Sequence, residues 1–141
     1  MESSYPRFHL AIPVTDLEQT LAFYESVLGC EQGRSAERWV DLDFFGHQLV
    51  LQWVDGQSQP EATNLVDGHQ VPAGHFGPIL EWEQFEALAE RLRKRSIEFL
   101  IEPNVRFQGQ AGEQATMFVR DPSNNCLEFK AFRDQRQLFA R

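Results

Sequence analysis

The chain has 141 residues, of which 42% are hydrophobic and 12% aromatic, so it can bury a core as one compact domain or as two small fused ones. Its formal net charge of −8 argues against a nucleic-acid partner, because no basic stripe is available to displace counterions from phosphates. No apolar run has the length of a signal peptide or a membrane span, so we expect a cytoplasmic protein without a membrane partner. In that compartment Cys30 and Cys126 are expected to be free thiols.

The first half of the sequence predicts a strand, a helix and three further strands. After a polar segment at residues 1–7 that is expected to be frayed, residues 8–14 form an apolar strand. Asp16 then suits a helix N-cap, apolar residues follow at helical spacing, and Gly29 suits the position just after the helix end. Residues 30–35, 38–45 and 47–54 predict strands, of which the last two form a hairpin.

Residues 55–74 are rich in Gly, Gln, Pro, Asn and Asp and predict a loop. A loop of this length in a small domain is typically functional or a linker. We expect it to link two halves of the chain and to fold over the mouth of a pocket.

The second half predicts the same order of elements. It comprises a strand at 75–80, a helix at 82–96, a strand at 98–102 that ends at Pro103, and strands at 115–120 and 126–132. Residues 121–125 predict a turn, and the polar tail at 133–141 predicts a short helix that packs on a partner.

The two halves repeat a pattern rather than a sequence. His9 and His75 are 66 positions apart, and so are the predicted helix starts near Asp16 and Trp82. The prediction is therefore an α+β fold of two βαβββ modules, 8–54 and 75–132, joined by the 55–74 linker and followed by the 133–141 tail. One such module leaves a sheet face bare, so two packed modules are expected to form a half-open, mixed-sheet barrel around a cleft.

Three residues in predicted strands suggest a metal site: His9, His75 and Glu128. Two imidazoles and one carboxylate can hold a divalent metal on one face and leave other positions open. A single strand histidine is more often an ordinary packing residue. A carboxylate in an apolar strand needs a partner, for which the alternative to a metal is an arginine such as Arg106.

Three segments of the sequence resemble the vicinal oxygen chelate superfamily, which includes glyoxalase I, extradiol dioxygenases, fosfomycin-resistance enzymes and bleomycin-resistance proteins. They are residues 9–17, residues 20–29, and residues 121–129. The last is similar to the superfamily signature D-P-x-G-N-x-x-E, with Asn124 in place of Gly. Asparagine still permits the left-handed backbone that such a turn requires.

This resemblance implies that His9, His75 and Glu128 are the metal ligands. The implied metal is Fe2+ first, followed by Mn2+, Zn2+ or Ni2+. Glyoxalase-type members add a glutamate from the strand at 47–54, where this chain offers only Gln48, Val50 and Gln52. The ligand set therefore resembles the three-ligand set of the extradiol dioxygenases, with Gln52 as a weak fourth ligand at most.

The chain also departs from the ring-cleaving dioxygenases, because Phe118 stands where they have a tyrosine and residues 108–114 lack their second-shell histidine. The proton transfers of catechol cleavage would lack their usual side chains.

The remaining site residues are assigned as substrate-binding or as acid–base candidates. Arg106 suits a carboxylate or phosphate and Phe107 an apolar body, within a polar run at 105–114 that is either a flexible loop or a lid. Phe118 and Gln52 are expected to line the same pocket. His69 and Glu113 are the candidate acids or bases, although His69, like His47, is also typical of a surface residue.

The expected function is a divalent-metal-dependent oxidoreductase that resembles the extradiol dioxygenases. It would be a homodimer and would chelate a small substrate through vicinal oxygens. A first alternative is a glyoxalase-type lyase or isomerase with Glu113 as the base. A second is a non-catalytic, bleomycin-resistance-like protein that binds a small molecule.

Overall fold

A computed structural model of the protein describes residues 5–56 and 62–141. The chain divides into two compact units: Met1–Ser58 with Pro122–Asn125, and Gln59–Asp121 with Cys126–Arg141. Each combines a four-stranded mixed sheet with a helix, which confirms the predicted α+β class. The predicted fraying at the N-terminus and part of the predicted linker fall on residues 1–4 and 57–61, which lie outside the described residues.

The first unit follows the predicted order of one strand, one helix and three strands. Its elements are β1 (His9–Val14), α1 (Leu17–Ala22), β2 (Glu31–Ala36), β3 (Trp39–Phe44) and β4 (His47–Trp53). The sheet order is β1-β4-β3-β2, with β1 and β4 parallel. Along β1, Ile12 and Val14 are buried while His9, Ala11 and Pro13 are exposed, so the two-residue period of the strand places His9 on the open face.

The helix of the first unit begins as predicted but ends differently. Asp16 accepts a hydrogen bond from the backbone N–H of Gln19 at 2.9 Å, so it is the predicted N-cap. The α-helix then ends at Ala22 and continues as a π-helical turn, Phe23–Val27, that buries Phe23 and Tyr24. Gly29, with φ of 78°, follows this turn in the left-handed conformation expected of it.

The second unit repeats this order after an additional hairpin. Its elements are β5 (Thr63–Val66), β6 (His69–Pro72), β7 (Ile79–Leu80), α2 (Trp82–Lys94), β8 (Phe99–Arg106), β9 (Gln114–Arg120), β10 (Cys126–Phe132) and a short 3-10 helix (Gln135–Gln137). The sheet order is β7-β10-β9-β8, with β7 and β10 parallel. The buried side of α2 comprises Phe85, Ala89 and Leu92.

The prediction of a loop at 55–74 was wrong over β5 and β6, because these two strands form an antiparallel hairpin. Its two turn residues, Asp67 and Gly68, have φ of 47° and 84°, and Asp-Gly is a preferred pair for such turns. On β6, Val71 is almost fully buried and packs with Ile101, Phe118 and Cys126. The hairpin therefore covers part of one face of its own unit's sheet.

The predicted strand at 75–80 is shorter in the structure. Only Ile79–Leu80 forms a regular strand, preceded by one bridge between Phe76 and Leu127. Pro78 has no N–H to donate, so the ladder is interrupted there. The segment still runs beside β10, because the N–H of Glu128 donates to the carbonyl of Phe76 at 2.8 Å.

The prediction that Pro103 ends its strand was also wrong, since β8 continues through it to Arg106. β8 lies at the edge of its sheet, where a missing N–H leaves no neighbouring strand unpaired. The pairing with β9 also shifts between Ile101 and Asn104, and this irregularity accommodates the proline.

Gly77 allows the close approach of its segment to β10, and we expect Gly77→Ala to destabilise the protein. A Cβ at this position would collide with the backbone carbonyl of Glu128. We expect the free energy of unfolding, measured by urea denaturation, to fall by about 3 kcal/mol. Gly74→Ala is the matched control, because a Cβ there meets nothing within 4 Å. Equal stability of the two variants would contradict the close packing at Gly77.

Candidate functional site

The site of the second unit is built around the carboxylate of Glu128 on β10. The residue is only 8% exposed, so its charge requires partners inside the protein. Thr116 on the neighbouring strand β9 donates its hydroxyl to Oε2 at 2.5 Å. This hydrogen bond fixes the carboxylate and leaves Oε1 directed at other groups.

His75 is the second member of the site. Its Nε2 lies 3.2 Å from Oε1 of Glu128, and its Nδ1 lies 2.9 Å from the carbonyl oxygen of Pro72. Because a carbonyl only accepts, Nδ1 carries the donated proton. The ring also meets Phe118 edge-on, with the ring centroids 5.2 Å apart. The imidazole is therefore oriented from two sides, with Nε2 facing the carboxylate.

The His75–Glu128 pair fits two neighbouring ligands of one divalent ion. Two atoms that each lie about 2.1 Å from an ion, at roughly right angles to one another, are about 3 Å apart. The partners behind them also fit, since ligating histidines commonly donate their second nitrogen to a carbonyl and ligating carboxylates are themselves hydrogen-bonded. Among the described residues of this unit, no third His, Cys, Asp or Glu completes a metal-binding group.

His9, the third predicted ligand, belongs to the first unit. Its Nδ1 lies 2.7 Å from Oε1 of Gln48, its cross-strand neighbour on β4. The amide oxygen accepts from Nδ1, which leaves the lone pair of Nε2 available to a metal. Gln52, the predicted weak fourth ligand, pairs with Pro13 at the other end of β1. The structure brings His75 and Glu128 together. The full ligand set of His9, His75 and Glu128 stays a prediction.

An open pocket beside the pair contains a residue that the sequence reasoning missed. Its lining consists of His75, Phe76, Gly77, Pro78, Ile79, Glu128 and Lys130. Nζ of Lys130 lies 3.9 Å from Oε1 of Glu128. The available signal was the two-residue period of a strand, which places Lys130 on the same face as Glu128.

Arg106, which was predicted to bind the substrate, makes its contacts with other residues of the protein. Nε of Arg106 forms an ion pair with Oδ2 of Asp67 in the β5–β6 turn at 3.1 Å. Its guanidinium also lies over the ring of Phe107, 5.0 Å from the ring centroid. Arg106 therefore holds the tip of the hairpin. Phe118, also predicted to bind substrate, is buried beneath this hairpin and beside His75.

Glu113, a candidate base, is likewise held by its own surroundings. Its carboxylate accepts from the N–H of Gly109 at 3.1 Å and from Nε of Arg133 at 3.4 Å. Glu113 comes directly before β9 and five residues before Phe118, the cross-strand neighbour of Glu128; five residues of extended chain span about 16 Å. These contacts give Glu113 a structural role in the loop before β9.

The two remaining histidines are exposed. His69 lies on β6 opposite Val66, next to the hairpin turn. His47 accepts a hydrogen bond from the N–H of Phe8 through Nδ1 at 2.8 Å and so fixes the start of β1 against β4.

Both cysteines are free, as predicted, and both are buried. Burial raises the pKa of the Cys30 thiol to about 12, with smaller contributions from Asp43 and Glu25. Cys30 therefore stays protonated at neutral pH and is a packing residue rather than a nucleophile.

Residues 8–129 match the Glyoxalase/Bleomycin resistance protein/Dioxygenase superfamily. The chain belongs to this superfamily. The match spans both units, and the resemblance carried by the first strand, the first helix and the turn at 121–125 is thereby confirmed. In that turn Asn124 has φ of 67°, the left-handed conformation for which the signature uses glycine.

Similar proteins share the superfamily's fold over nearly the whole chain. A glyoxalase/bleomycin resistance protein/dioxygenase from Alicyclobacillus acidocaldarius is 35% identical, with a TM-score of 0.81 and coverage of 98% of this chain and 99% of that one. The glyoxalase domain-containing protein RDO1 of Mycosarcoma maydis is 26% identical over 89% of this chain and 68% of its own length. The fosfomycin resistance protein FosX of Listeria monocytogenes, 22% identical with a TM-score of 0.68, covers 98% of this chain and all of its own.

Within the described ranges, every helix is too short or too polar to cross a membrane. The cytoplasmic location stays a prediction.

We expect Thr116→Val to destabilise the metal-free protein, because it removes the donor to Glu128 at nearly constant volume. A buried hydrogen bond to a charged group contributes about 2 kcal/mol, and urea unfolding in the presence of a chelator would measure its loss. Thr63→Val is the matched control, since the Thr63 hydroxyl donates to Gln70 on the exposed hairpin surface. A loss no larger than in this control would show that Thr116 does not hold the carboxylate.

Proposed function

We propose that the protein is a divalent-metal-dependent oxidoreductase that takes a small substrate with two vicinal oxygens, with His9, His75 and Glu128 as the metal ligands. The observation that supports this best is the pair of His75 and Glu128, 3.2 Å apart, with Pro72 and Thr116 behind them. Fe2+ is the first choice of metal and Mn2+ the second, because two histidines and one carboxylate form the ligand set of non-haem iron oxygenases.

When bound, the metal would supply Lewis acidity to the substrate oxygens and open coordination positions. The chain itself contributes the orientation of the ligand side chains. Pro72 and Thr116 fix the two ligand side chains, and Phe118, which packs with Val71, is an apolar neighbour of the His75 ring. The side chain of Phe118 has no hydroxyl, so we do not assign catechol ring cleavage to this site.

The alternative enzymatic function is that of a glyoxalase-type lyase or isomerase, which needs a fourth ligand or a base near the metal. Beside His9 the chain has the amide of Gln48, which does not act as a base. Glu113 is engaged by Arg133 and Gly109. The remaining alternative is a non-catalytic binding protein, against which the oriented His75–Glu128 pair is the main argument.

Metal content provides the first test. We expect about one equivalent of iron or manganese per chain after anaerobic purification, measured by mass spectrometry, and loss of nearly all of it in His75→Ala. His69→Ala, in the same unit but outside the ligand set, is the control that should keep its metal. Stoichiometric zinc or nickel would favour the glyoxalase-type isomerase. Wild-type protein that contains no metal would contradict both enzyme functions and support the non-catalytic binding protein.

We also propose that the protein is a homodimer. Phe8 and Phe139 are 65% and 88% exposed in the isolated chain, so both side chains are available to an interface between two copies. We expect light scattering to give twice the chain mass of 16.3 kDa. A mass of one chain at micromolar concentration would contradict the proposal.

Mixing the metal-free variants His9→Ala and His75→Ala would then show whether two copies share a site. If they do, random pairing restores about a quarter of the wild-type metal, because half of the dimers are mixed and each of these has one complete ligand set. If each chain uses its own residues, the mixture binds no more metal than the separate variants.

A further inference from the structure

Lys130 lies in the pocket beside the candidate metal ligands and has no role in the function proposed above. It follows Glu128 by two residues on β10, so both side chains lie on the same face of the sheet. Its side chain is 36% exposed, so the ammonium group is accessible from the pocket. The chain has only one other lysine, Lys94, which pairs with Glu90 on α2.

Neutralisation of the Glu128 charge does not fully explain why a lysine lies at position 130. The carboxylate already has the Thr116 hydroxyl on one oxygen and His75 near the other. The 3.9 Å between Nζ and Oε1 is about 1 Å longer than a charge-assisted hydrogen bond. Lys130 therefore stands beside the carboxylate without donating to it.

The charge balance of the pocket favours an anionic ligand. The charges of Glu128 and Lys130 cancel, so a bound divalent ion would give the pocket a net positive charge. The whole chain, by contrast, carries a net charge of −8. Ile79, the cross-strand neighbour of Lys130, is 44% exposed and adds an apolar wall together with Phe76 and Pro78. Arg106, the cation expected to hold an anion, is already paired with Asp67.

We propose that Lys130 is a substrate-binding residue that selects a small acid with a hydroxyl or oxo group next to its carboxylate. The acid's vicinal oxygens would be the chelating pair of the proposed function, on which this inference rests. The ammonium of Lys130 would donate to the carboxylate, and the apolar wall would contact the remainder of the acid.

The test compares lactate with lactamide on the Mn2+-loaded protein. The two molecules have the same shape and vicinal oxygens and differ in one charge. Water-proton relaxation of the bound Mn2+ gives both dissociation constants, because a chelating ligand displaces water from the ion. We expect Lys130→Met to lower the preference for lactate over lactamide about tenfold, the effect of one charge-assisted hydrogen bond.

Two variants serve as controls for charge and for general effects. Lys130→Arg keeps the positive charge and should retain most of the preference, and Lys94→Met removes the other lysine and should retain all of it. An unchanged preference in Lys130→Met, with Mn2+ still bound, would overturn the role of Lys130 and leave the metal site intact. Loss of Mn2+ binding in Lys130→Met alone would assign the lysine to the metal site instead of the substrate. Wild-type protein that binds no Mn2+ would overturn the proposed function and this inference together.

Discussion

The arrangement of the second unit depends on burying one carboxylate, that of Glu128. An ionised carboxyl group in a protein interior is costly unless hydrogen bonds or cations compensate it. Here the Thr116 hydroxyl donates to one oxygen, and the His75 ring and the more distant Lys130 ammonium lie beside the other. Each partner lies on a different segment, so the carboxylate fixes β9, β10 and the segment before β7 relative to one another.

The β5–β6 hairpin connects this carboxylate to the rest of the unit. At its end, the Pro72 carbonyl orients His75, and the preceding residue, Val71, packs against Phe118. At its tip, Asp67 binds Arg106 on β8. A half-exposed ion pair of this kind contributes little stability, so buried Val71 is the stronger anchor. The orientation of His75 consequently depends on how the hairpin packs.

Local patterns predicted most elements but not the contacts between them. The apolar strand β1, the Asp16 cap and the turn before β10 could be predicted, since each depends on neighbours in sequence. The hairpin was missed because the polar composition of residues 55–74 outweighed the Asp67-Gly68 signal. Likewise, Arg106 was predicted to bind a substrate anion, whereas its partner in the structure is Asp67, 39 residues away, and that pairing follows only from the packed hairpin.

The two halves orient their histidines by different means, and this difference bears on how the site can change. His9 donates to the side chain of Gln48, whereas His75 donates to the backbone carbonyl of Pro72. A side-chain acceptor can be altered by one substitution, so a carboxylate at position 48 would put a base beside His9 without moving the strand. The backbone acceptor can be altered only by repositioning the hairpin. Chemistry is therefore easier to vary in the first half, while the hairpin keeps the His75–Glu128 pair constant.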